Sequence, residues 1–371
     1  MTTTPGTALA DADVSDGGAL GIVDCDVHNG LPNRDALKPY LAARWHAEYD
    51  ELVGRNPGGM MIGARPSKGI FREDSKPPSG GAPGSDLGFL QEQLLERFHI
   101  SRAILSPLES LGWPAHGELS MALHAALNDY IDERWLHEDD RLFGSIMVPQ
   151  EDGERSAMEI DRLGSHGRFV HVQLLAGSRE LLGHPKYWPI YEAASALGLP
   201  VSVHVAGFSG QISGAGWFGY HLERHIGWPF YYQGHVASLV CSGVFARFPS
   251  LQIVLQEAGI SWMPPLMWRM DRVQRSGLAS MRSLDRPPSE VIRDHFWFTT
   301  QPMDEPERPE YLHEMLGQLN MNDRLMFASD YPHWDFDPPD RVLPRSIDGQ
   351  LRERIFAGNA ESLFRFAPNP A

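Results

Sequence analysis

The chain has few cysteines, no long hydrophobic run and a shortage of positive charge. Its 371 residues include two cysteines, Cys25 and Cys241, which excludes a disulfide-stapled scaffold and favours a reducing compartment. No run of about 18 apolar residues occurs, so we expect no transmembrane helix. The first residues lack a basic stretch followed by an apolar core, which argues against a secretory signal. We therefore expect a cytoplasmic protein.

The charge balance restricts the kind of partner. Acidic residues outnumber basic residues 48 to 32, and the formal net charge is −16. Nucleic acids and anionic membrane surfaces are bound through basic patches, so this balance argues against both. A small anionic molecule is still compatible with it, because such a ligand responds to the local field of a pocket. We expect a small-molecule substrate.

Composition divides the chain into a tail, a patterned region and an insert. Residues 1–20 are rich in Thr, Ala, Asp and Gly without periodicity, which predicts a disordered tail. Residues 21–367 carry regular apolar patterns and are expected to form a single domain. A Gly- and Pro-rich insert at about 55–88 has no pattern of its own, and such loops are usually lids, binding loops or disordered inserts. We place it over the mouth of the fold.

Short apolar segments alternate with helical patterns along the patterned region. The spacing predicts eight strands, at 21–26, 102–105, 143–148, 169–174, 200–204, 251–255, 296–300 and 325–328. Single helices separate most of them, and the aromatic segment before the helix at 234–247 is expected to be a loop. Eight strands alternating with helices predict a parallel (β/α)8 TIM barrel, with a doubly wound open sheet as the alternative. Neither GxGxxG after the first strand nor a Walker A sequence is present, so nothing supports a nucleotide site.

Five ionisable side chains end or follow four of these strands. Asp26 and His28 follow the first, His204 ends the fifth, Glu257 follows the sixth and Asp330 follows the eighth. In a barrel, the carboxyl ends of the strands carry the catalytic residues, so all five are expected on one rim. Taken singly, each is more often a turn residue or a hydrogen-bonded core histidine. Their joint placement is what predicts a site.

Two histidines and two carboxylates on one rim can hold a divalent metal ion. Asp26, His28, His204 and Asp330 form a mononuclear site suited to Zn, with Mn or Fe(II) as alternatives. Such an ion polarises a substrate oxygen and lowers the pKa of bound water. Asp330, at the edge of the set, is also a candidate for proton transfer.

Further residues are candidates for contact with the substrate or for a catalytic role. Trp217, His221 and His225 lie in the aromatic segment after the fifth strand, which suits an aromatic or otherwise flat substrate but would equally pack on the barrel. Arg269 could clamp a substrate carboxylate or pair with a neighbouring acid on a helix surface. His333 follows Asp330 by three positions and could orient it or touch the substrate.

Several short segments have a recognisable combination of residues: VDCDVH (23–28), LPVSVH (199–204), FPSLQ (248–252) with EAG (257–259), WRMD (268–271) and ASDYPH (328–333). Together they resemble the amidohydrolase-related branch of the amidohydrolase superfamily, which includes aminocarboxymuconate semialdehyde decarboxylase and the non-oxidative aromatic acid decarboxylases. The resemblance spans about residues 20–367.

The resemblance implies a distorted (β/α)8 barrel, one divalent ion and a homodimer. It also implies that Asp26, His28, His204 and Asp330 occupy the ligand positions, with Asp330 at the catalytic carboxylate position as well. Two departures stand out. The familiar His-x-His opening is Asp26-x-His28, and Glu257 stands where a catalytic His often follows the sixth strand. Glu257 could transfer protons, bind the water on the ion, or signal that the familiar chemistry is lost.

These observations predict a metal-dependent enzyme with Asp330, Glu257 and His333 as catalytic candidates. The first hypothesis is a non-oxidative decarboxylase, a carboxy-lyase of a small aromatic or unsaturated carboxylic acid. The alternative is a hydrolase of an amide, ester, lactone or C–C bond, because both reactions use the same set of ligands. A third hypothesis is an inactive barrel that binds a molecule without turning it over.

Overall fold

Eight parallel strands form a single sheet in chain order. The computed structural model describes residues 21–55, 70–110, 113, 117–207, 220–277 and 284–367. The predicted tail at 1–20 and part of the predicted insert lie outside these residues. The strands are β1 (Ile22–Val27), β2 (Ile100–Leu105), β3 (Leu142–Met147), β4 (Phe169–Gly177), β5 (Val201–Gly207), β6 (Ile253–Gln256), β7 (Phe296–Thr299) and β8 (Leu325–Met326).

Helices follow the strands, as a (β/α)8 barrel requires. In the described residues they are α1 (His46–Arg55), α2 (Leu87–Leu90), α3 (Glu118–Ile131), α4 (Gly153–Leu163), α5 (Trp188–Leu197), α6 (His221–Cys241), α7 (Val244–Arg247), α8 (Met263–Arg275), α9 (Pro288–His295), α10 (Pro309–Leu319), α11 (Gly349–Glu353) and α12 (Asn359–Leu363). Wider π-helical turns continue α2, α3 and α11, at Gln91–Glu96, Asp132–Leu136 and Arg354–Gly358. No helix of the described residues is long and apolar enough to cross a membrane.

The first and last strands meet and close the sheet into a barrel. Beside the parallel ladders, the Cys25 amide donates to the Phe327 carbonyl at 3.0 Å, and the Asp330 amide donates to the Asp26 carbonyl at 3.1 Å. A parallel bridge also joins Val27 to Tyr331. The predicted (β/α)8 barrel is therefore confirmed, and its closure brings the residues after β1 and β8 side by side.

Local sequence explains where several helices begin and end. The Asp152 carboxylate accepts from the Arg155 amide at 3.2 Å and caps the start of α4. Gly198 ends α5 in the left-handed conformation that glycine adopts most readily, at φ 66°. Asn320 ends α10 in the same way, at φ 51°. These caps set the short turns that return the chain to the next strand.

Buried apolar and buried polar side chains alternate along the strands. On β4, Val172 and Leu174 belong to one large buried hydrophobic cluster, which also contains Tyr191 of α5. The intervening His171 and Gln173 are buried too. Period-two alternation sends neighbouring side chains to opposite faces of a strand, so the sheet has one apolar face and a second face that carries polar groups.

The prediction was wrong for residues 221–233. We expected a loop there, but α6 begins at His221 and runs to Cys241. Pro229 and two glycines weaken the helical pattern, while the Tyr220 amide donates to the Glu223 carboxylate at 3.0 Å and caps the first turn. Tyr232 of this helix is fully buried. Tertiary packing thus outweighs the low intrinsic helix propensity of the segment. Helix α9 was not predicted.

Candidate metal centre

Five ionisable side chains meet at the carboxyl end of the barrel. Asp26 lies in β1 and His28 just after it, His204 lies in β5, and Glu257 and Asp330 follow β6 and β8. Their exposed fractions are 0%, 5%, 1%, 4% and 2% in that order, so all five are withdrawn from solvent. Burying an ionised group costs free energy unless an opposite charge lies nearby. Five buried ionisable groups therefore need stabilising partners within the site.

Four of the five residues converge on one point. Asp26, His28, His204 and Glu257 each offer a ligand atom, and these atoms all lie within 4.8 Å of one another. His204 Nε2 is 3.3 Å from Asp26 Oδ2 and 3.1 Å from Glu257 Oε1. His28 Nε2 is 3.9 Å from Asp26 Oδ1 and 3.5 Å from Glu257 Oε1. We call these four residues the ligand cluster.

Backbone carbonyls fix which nitrogen of each imidazole faces the cluster. His28 Nδ1 lies 2.6 Å from the Ser106 carbonyl, and His204 Nδ1 lies 2.7 Å from the Val205 carbonyl. A carbonyl oxygen only accepts, so each Nδ1 carries a proton and donates it. In the neutral imidazole, Nε2 then presents a lone pair to the cluster. This is the arrangement that metal-binding histidines usually have.

Several atoms of the cluster lack a hydrogen-bond partner among the described residues. They are both carboxylate oxygens of Asp26, Nε2 of His204 and Oε1 of Glu257. Buried polar atoms are seldom left unpaired, because desolvation without a partner costs about 1–3 kcal/mol each. A cation between them would satisfy all of them at once. Two imidazoles and two carboxylates also match the ligand types of Zn²⁺ and Mn²⁺, so the residues fit a divalent ion.

The electrostatics of the cluster favour positive charge. Burial alone would lower the pKa of His204, but Glu257 and Asp26 beside it raise that pKa to about 10. Burial likewise opposes ionisation of Glu257, yet His204 and His28 hold its pKa well below the usual range. Both shifts have one cause, because opposite charges at short range stabilise each other in a site that excludes water.

Asp330 forms a pair with His333 beside the ligand cluster. His333 Nδ1 lies 2.5 Å from Asp330 Oδ1, and His28 Nε2 lies 2.8 Å from the same oxygen. Ligand atoms of Asp330, His333, His28 and Glu257 form a second group within 4.8 Å of one another. Burial, followed by the charge of Glu257, raises the pKa of Asp330 to about 6. The structure thus brings our three catalytic candidates, Asp330, Glu257 and His333, next to the predicted ligands.

Unusual backbone conformations position the two acids that follow β6 and β8. Glu257 has φ 52° and Asp330 has φ 59°, in the left-handed region that non-glycine residues rarely adopt. The Glu257 amide donates to Thr299 Oγ1 at 3.3 Å, and the Asp330 amide is held by the Asp26 carbonyl. Residues in this region cost of order 1–3 kcal/mol and cluster at functional sites. The left-handed turn comes directly after β6 at Glu257 and four residues after β8 at Asp330, and both carboxylates stay buried in the site.

Aromatic rings lie beside this centre. The Phe71 ring stacks on His333 with centroids 5.4 Å apart and planes at 15°, and the Trp334 amide donates to the Ile70 carbonyl at 3.0 Å. The described end of the predicted insert therefore contacts the segment after β8. His225 packs against Trp228 and Trp334, and its Nε2 lies 2.9 Å from Asp335 Oδ2.

The other three predicted substrate-binding residues, Trp217, His221 and Arg269, stay predictions. Trp217 and the side chain of His221 lie outside the described residues. Arg269 lies on α8 with an exposed side chain, so its proposed contact with substrate stays a prediction.

Sequence reasoning missed three residues near the site. Phe71 lies in a segment without periodicity, and Thr299 has the pattern of an ordinary strand residue, so neither is marked as part of a site. The Asp304 carboxylate accepts from the Ile260 and Ser261 amides at 3.0 and 2.9 Å and so holds the loop after β6. Its acidic side chain in a polar loop gave no signal, because the partner amides are more than 40 residues away in the chain.

A family model named Amidohydrolase matches residues 23–366. The chain belongs to the amidohydrolase family. It is therefore an enzyme of the amidohydrolase superfamily, and the resemblance inferred from its motifs is confirmed. The match begins at the second residue of β1 and extends beyond α12, so it spans nearly the whole barrel.

Relatives and solved structures agree with this assignment. The chain is 24% identical over 319 residues to gamma-resorcylate decarboxylase of Polaromonas sp. (strain JS666), covering 77% of this chain and 93% of that protein. It is 23% identical over 288 residues to 2-amino-3-carboxymuconate-6-semialdehyde decarboxylase of Dictyostelium discoideum, covering 75% and 76%. A structure of dihydroxybenzoic acid decarboxylase from Polaromonas sp. JS666, with bound manganese and the inhibitor 2-nitroresorcinol, superposes with a TM-score of 0.62. Its sequence identity is 20%, with 95% of this chain and 98% of that one covered.

Proposed function

We propose that this protein is a metal-dependent, non-oxidative decarboxylase of a small aromatic carboxylic acid. The observation that carries the proposal is the Asp330–His333 pair at 2.5 Å, held against a buried cluster of metal-ligand type. Relatives named as decarboxylases of resorcylate and carboxymuconate semialdehyde support the substrate class. Such a reaction needs a bound substrate oxygen and a proton donor, and the site offers groups for both.

Asp26, His28 and His204 would hold the ion, together with a carboxylate from the end of β6 or β8. When bound, the ion polarises a substrate oxygen and fixes the substrate in place. Zn²⁺ and Mn²⁺ both suit this mixture of imidazole and carboxylate ligands, and a Polaromonas decarboxylase of similar fold holds manganese. Elemental analysis of protein purified without added metal decides between them.

Asp330 delivers the proton in the proposed reaction. The bond between the ring carbon and the carboxylate carbon breaks, CO₂ leaves, and the electron pair stays on the ring carbon. That carbon takes the proton from the Asp330 carboxyl group, and the product is the arene that has lost CO₂. His333, hydrogen-bonded to Asp330, orients this group and can return a proton to it. No oxidant or reductant is needed.

The surroundings of the pair suit a flat ring. Phe71 stacks on His333 at the site, and Trp334 beside it is about half exposed, at 51%. Aromatic faces bind planar ligands through offset stacking, which adds about 0.5–1.5 kcal/mol to simple burial. These rings would hold the substrate ring over the acid that protonates it.

The test is a panel of ortho-hydroxylated benzoic acids and unsaturated dicarboxylic acids given to the metal-loaded protein in D₂O. We expect CO₂ release and one deuterium on the carbon that carried the carboxylate. A parallel panel of amides, esters and lactones is run in ¹⁸O-labelled water. Incorporation of ¹⁸O without CO₂ release would show a hydrolase instead, and no turnover on either panel would favour the inactive barrel.

A further inference from the structure

We infer that Glu109 binds a second polar group of the substrate, a hydroxyl or amino group that donates a hydrogen bond to Oε2 of its carboxylate. The inference deepens the proposed function and rests on it. It narrows the substrate class to aromatic acids that carry a hydrogen-bond donor in addition to the groups held by the ion. Glu109 follows β2 and belongs to neither group of ligand atoms.

Two hydrogen bonds join the segment after β2 to the segment after β1. The His28 ring donates from Nδ1 to the Ser106 carbonyl at 2.6 Å, and the Leu31 amide donates to Glu109 Oε1 at 2.8 Å. Strands β1 and β2 are neighbours in the sheet, so both segments leave the barrel at the same part of its rim. The segment that orients the ring of His28 therefore also carries Glu109, which places this acid beside the metal centre.

One oxygen of Glu109 is buried without a hydrogen bond. Oε2 is closed off from solvent and has no hydrogen-bond partner among the described residues. Gly30 makes room for the carboxylate, because a Cβ there would lie only 3.3 Å from Oε1 and 3.5 Å from the Pro83 carbonyl oxygen. Burial raises the pKa of Glu109 to about 7, while the Leu31 amide and, more weakly, the charge of His28 oppose this shift. A buried acceptor of this kind costs free energy until a donor reaches it.

Asn29 adds a second acceptor of the same kind. It follows His28 directly and is 3% exposed, and its Oδ1 also lacks a hydrogen-bond partner within the described part of the chain. A metal ion would satisfy the ligand cluster, but it does not account for the oxygens of Asn29 and Glu109. An amide oxygen and an ionised carboxylate oxygen only accept, so the group that satisfies them is a donor.

A second acid at the same rim shows the contrast with a purely structural role. Glu151 follows β3, accepts from the Arg179 amide at 2.9 Å through Oε1, and pairs its Oε2 with Lys186. The protein itself thus occupies both oxygens of Glu151. Glu109 makes the same kind of bond to a backbone amide, but its Oε2 remains for another donor.

An acceptor at this place selects among substrates. A hydroxyl or amino group on the ring donates to Oε2, whereas a methoxy group or a second carboxylate has no donor and leaves the oxygen unpaired. The ionised carboxylate also repels a second anion at short range. One position of the substrate ring is therefore expected to favour donors over acceptors.

The test measures the binding of nitrophenols, in which a nitro group takes the place of the carboxylate and no CO₂ can be lost. 2-Nitrophenol and its hydroxy, amino and methoxy derivatives at each remaining ring position are titrated calorimetrically into the Mn²⁺-loaded protein. At one position, we expect the hydroxy or the amino derivative to bind wild type at least about tenfold more tightly than the methoxy derivative. The comparison of hydroxy with amino derivatives identifies the preferred donor.

Two variants separate substrate binding from a structural role. Glu109→Gln keeps an oxygen for the Leu31 amide but replaces Oε2 with an NH₂ donor, so the preference should fall to within about threefold or reverse. Glu151→Gln is the matched control, the same substitution in an acid whose oxygens are both occupied, and it should keep the wild-type preference.

A wild-type protein that favours donors at no ring position would overturn the inference, and so would Glu109→Gln that keeps the wild-type preference. Binding of 2-nitrophenol without donor selectivity leaves the proposed function intact. Failure of every nitrophenol to bind overturns the aromatic substrate class together with this inference. Thermal melts check folding. If Glu109→Gln does not fold, crystals of wild type with the preferred nitrophenol decide: its donor atom is expected within about 3.2 Å of Glu109 Oε2, and a donor placed elsewhere refutes the assignment.

Discussion

Replacing Asp330 with asparagine is the sharpest probe of the proposed proton donor. Asparagine is among the residues that best tolerate the left-handed conformation, so the φ of 59° needs no change. The backbone amide keeps its bond to the Asp26 carbonyl, and the side-chain oxygen can still accept from His333. The variant therefore removes the charge and the transferable proton and little else.

The magnitude follows from the role of the group. A positioned proton donor contributes about 10²–10⁴ in rate, which corresponds to about 3–5 kcal/mol of the barrier. Folding is affected much less. The lost charge-assisted hydrogen bonds are worth roughly 1.5–3 kcal/mol. Part of this loss is offset, because the variant no longer buries a charged carboxylate. Asp330→Ala should be less stable than Asp330→Asn, because alanine adds roughly 1–2 kcal/mol of left-handed strain.

The assay is the initial rate of CO₂ release from an acid that the wild-type protein turns over, at matched metal content. Asp330→Asn should lose about 10²–10⁴ of the rate, while Asp337→Asn should keep it, since Asp337 lies outside both ligand groups. Stability is read from urea unfolding of the same samples. A metal-loaded Asp330→Asn protein with wild-type turnover would refute the role of Asp330 in proton transfer.

Three further predictions concern the metal, a glycine and acid stability. His204→Ala should lose the ion, about one per chain in wild type, and elemental analysis that finds it retained would contradict the centre. Gly84→Ala should destabilise the fold and weaken metal binding, because its Cβ would overlap the His28 carbonyl. Gly80→Ala, with a similar positive φ but open space around it, should cost only the backbone strain in urea unfolding. Burial lowers the pKa of His124 to about 4 from its ordinary 6.5, so up to about 3 kcal/mol of stability is present above pH 6.5 and lost as pH falls towards 4. His124→Leu should reduce the difference in unfolding free energy between about pH 7 and about pH 4.5. A variant with the same difference as wild type in urea unfolding at these two pH values would contradict the prediction.

The barrel could be predicted because its signal is local and repeated. Each strand is a short apolar segment bounded by turn residues, and most of the eight segments are separated by a single helix. Errors fell where packing outweighs propensity. Pro229 and the glycines near it lower the helix propensity of the α6 segment, so its sequence does not predict a helix. The helix forms because residues such as Tyr232 are buried against the barrel. Helix α9 is eight residues long and begins with prolines, so its apolar period is too short to detect.

The sequence also predicted most of the residues that meet at the centre. Asp26 and His28 are two apart at the end of β1, His204 lies in β5, three residues before its end, and Glu257 and Asp330 follow β6 and β8. The topology of a parallel barrel carries all strand ends to one rim, so position along the chain was enough to group them. The contact of Phe71 with His333 could not be predicted, because nothing in a patternless segment indicates what it packs against.

What the sequence determined by itself is the fold, the family and the set of chemical groups at the carboxyl end of the barrel. These depend on periodicity and residue type, which the chain carries locally. Tertiary structure decided how close those groups lie to one another. Glu257 Oε1 lies 3.1 Å from His204 Nε2, and Asp330 Oδ1 lies 2.5 Å from His333 Nδ1; both arrangements depend on left-handed turns and on the register between strands. Only packing in three dimensions fixes distances between side chains that are far apart in the chain.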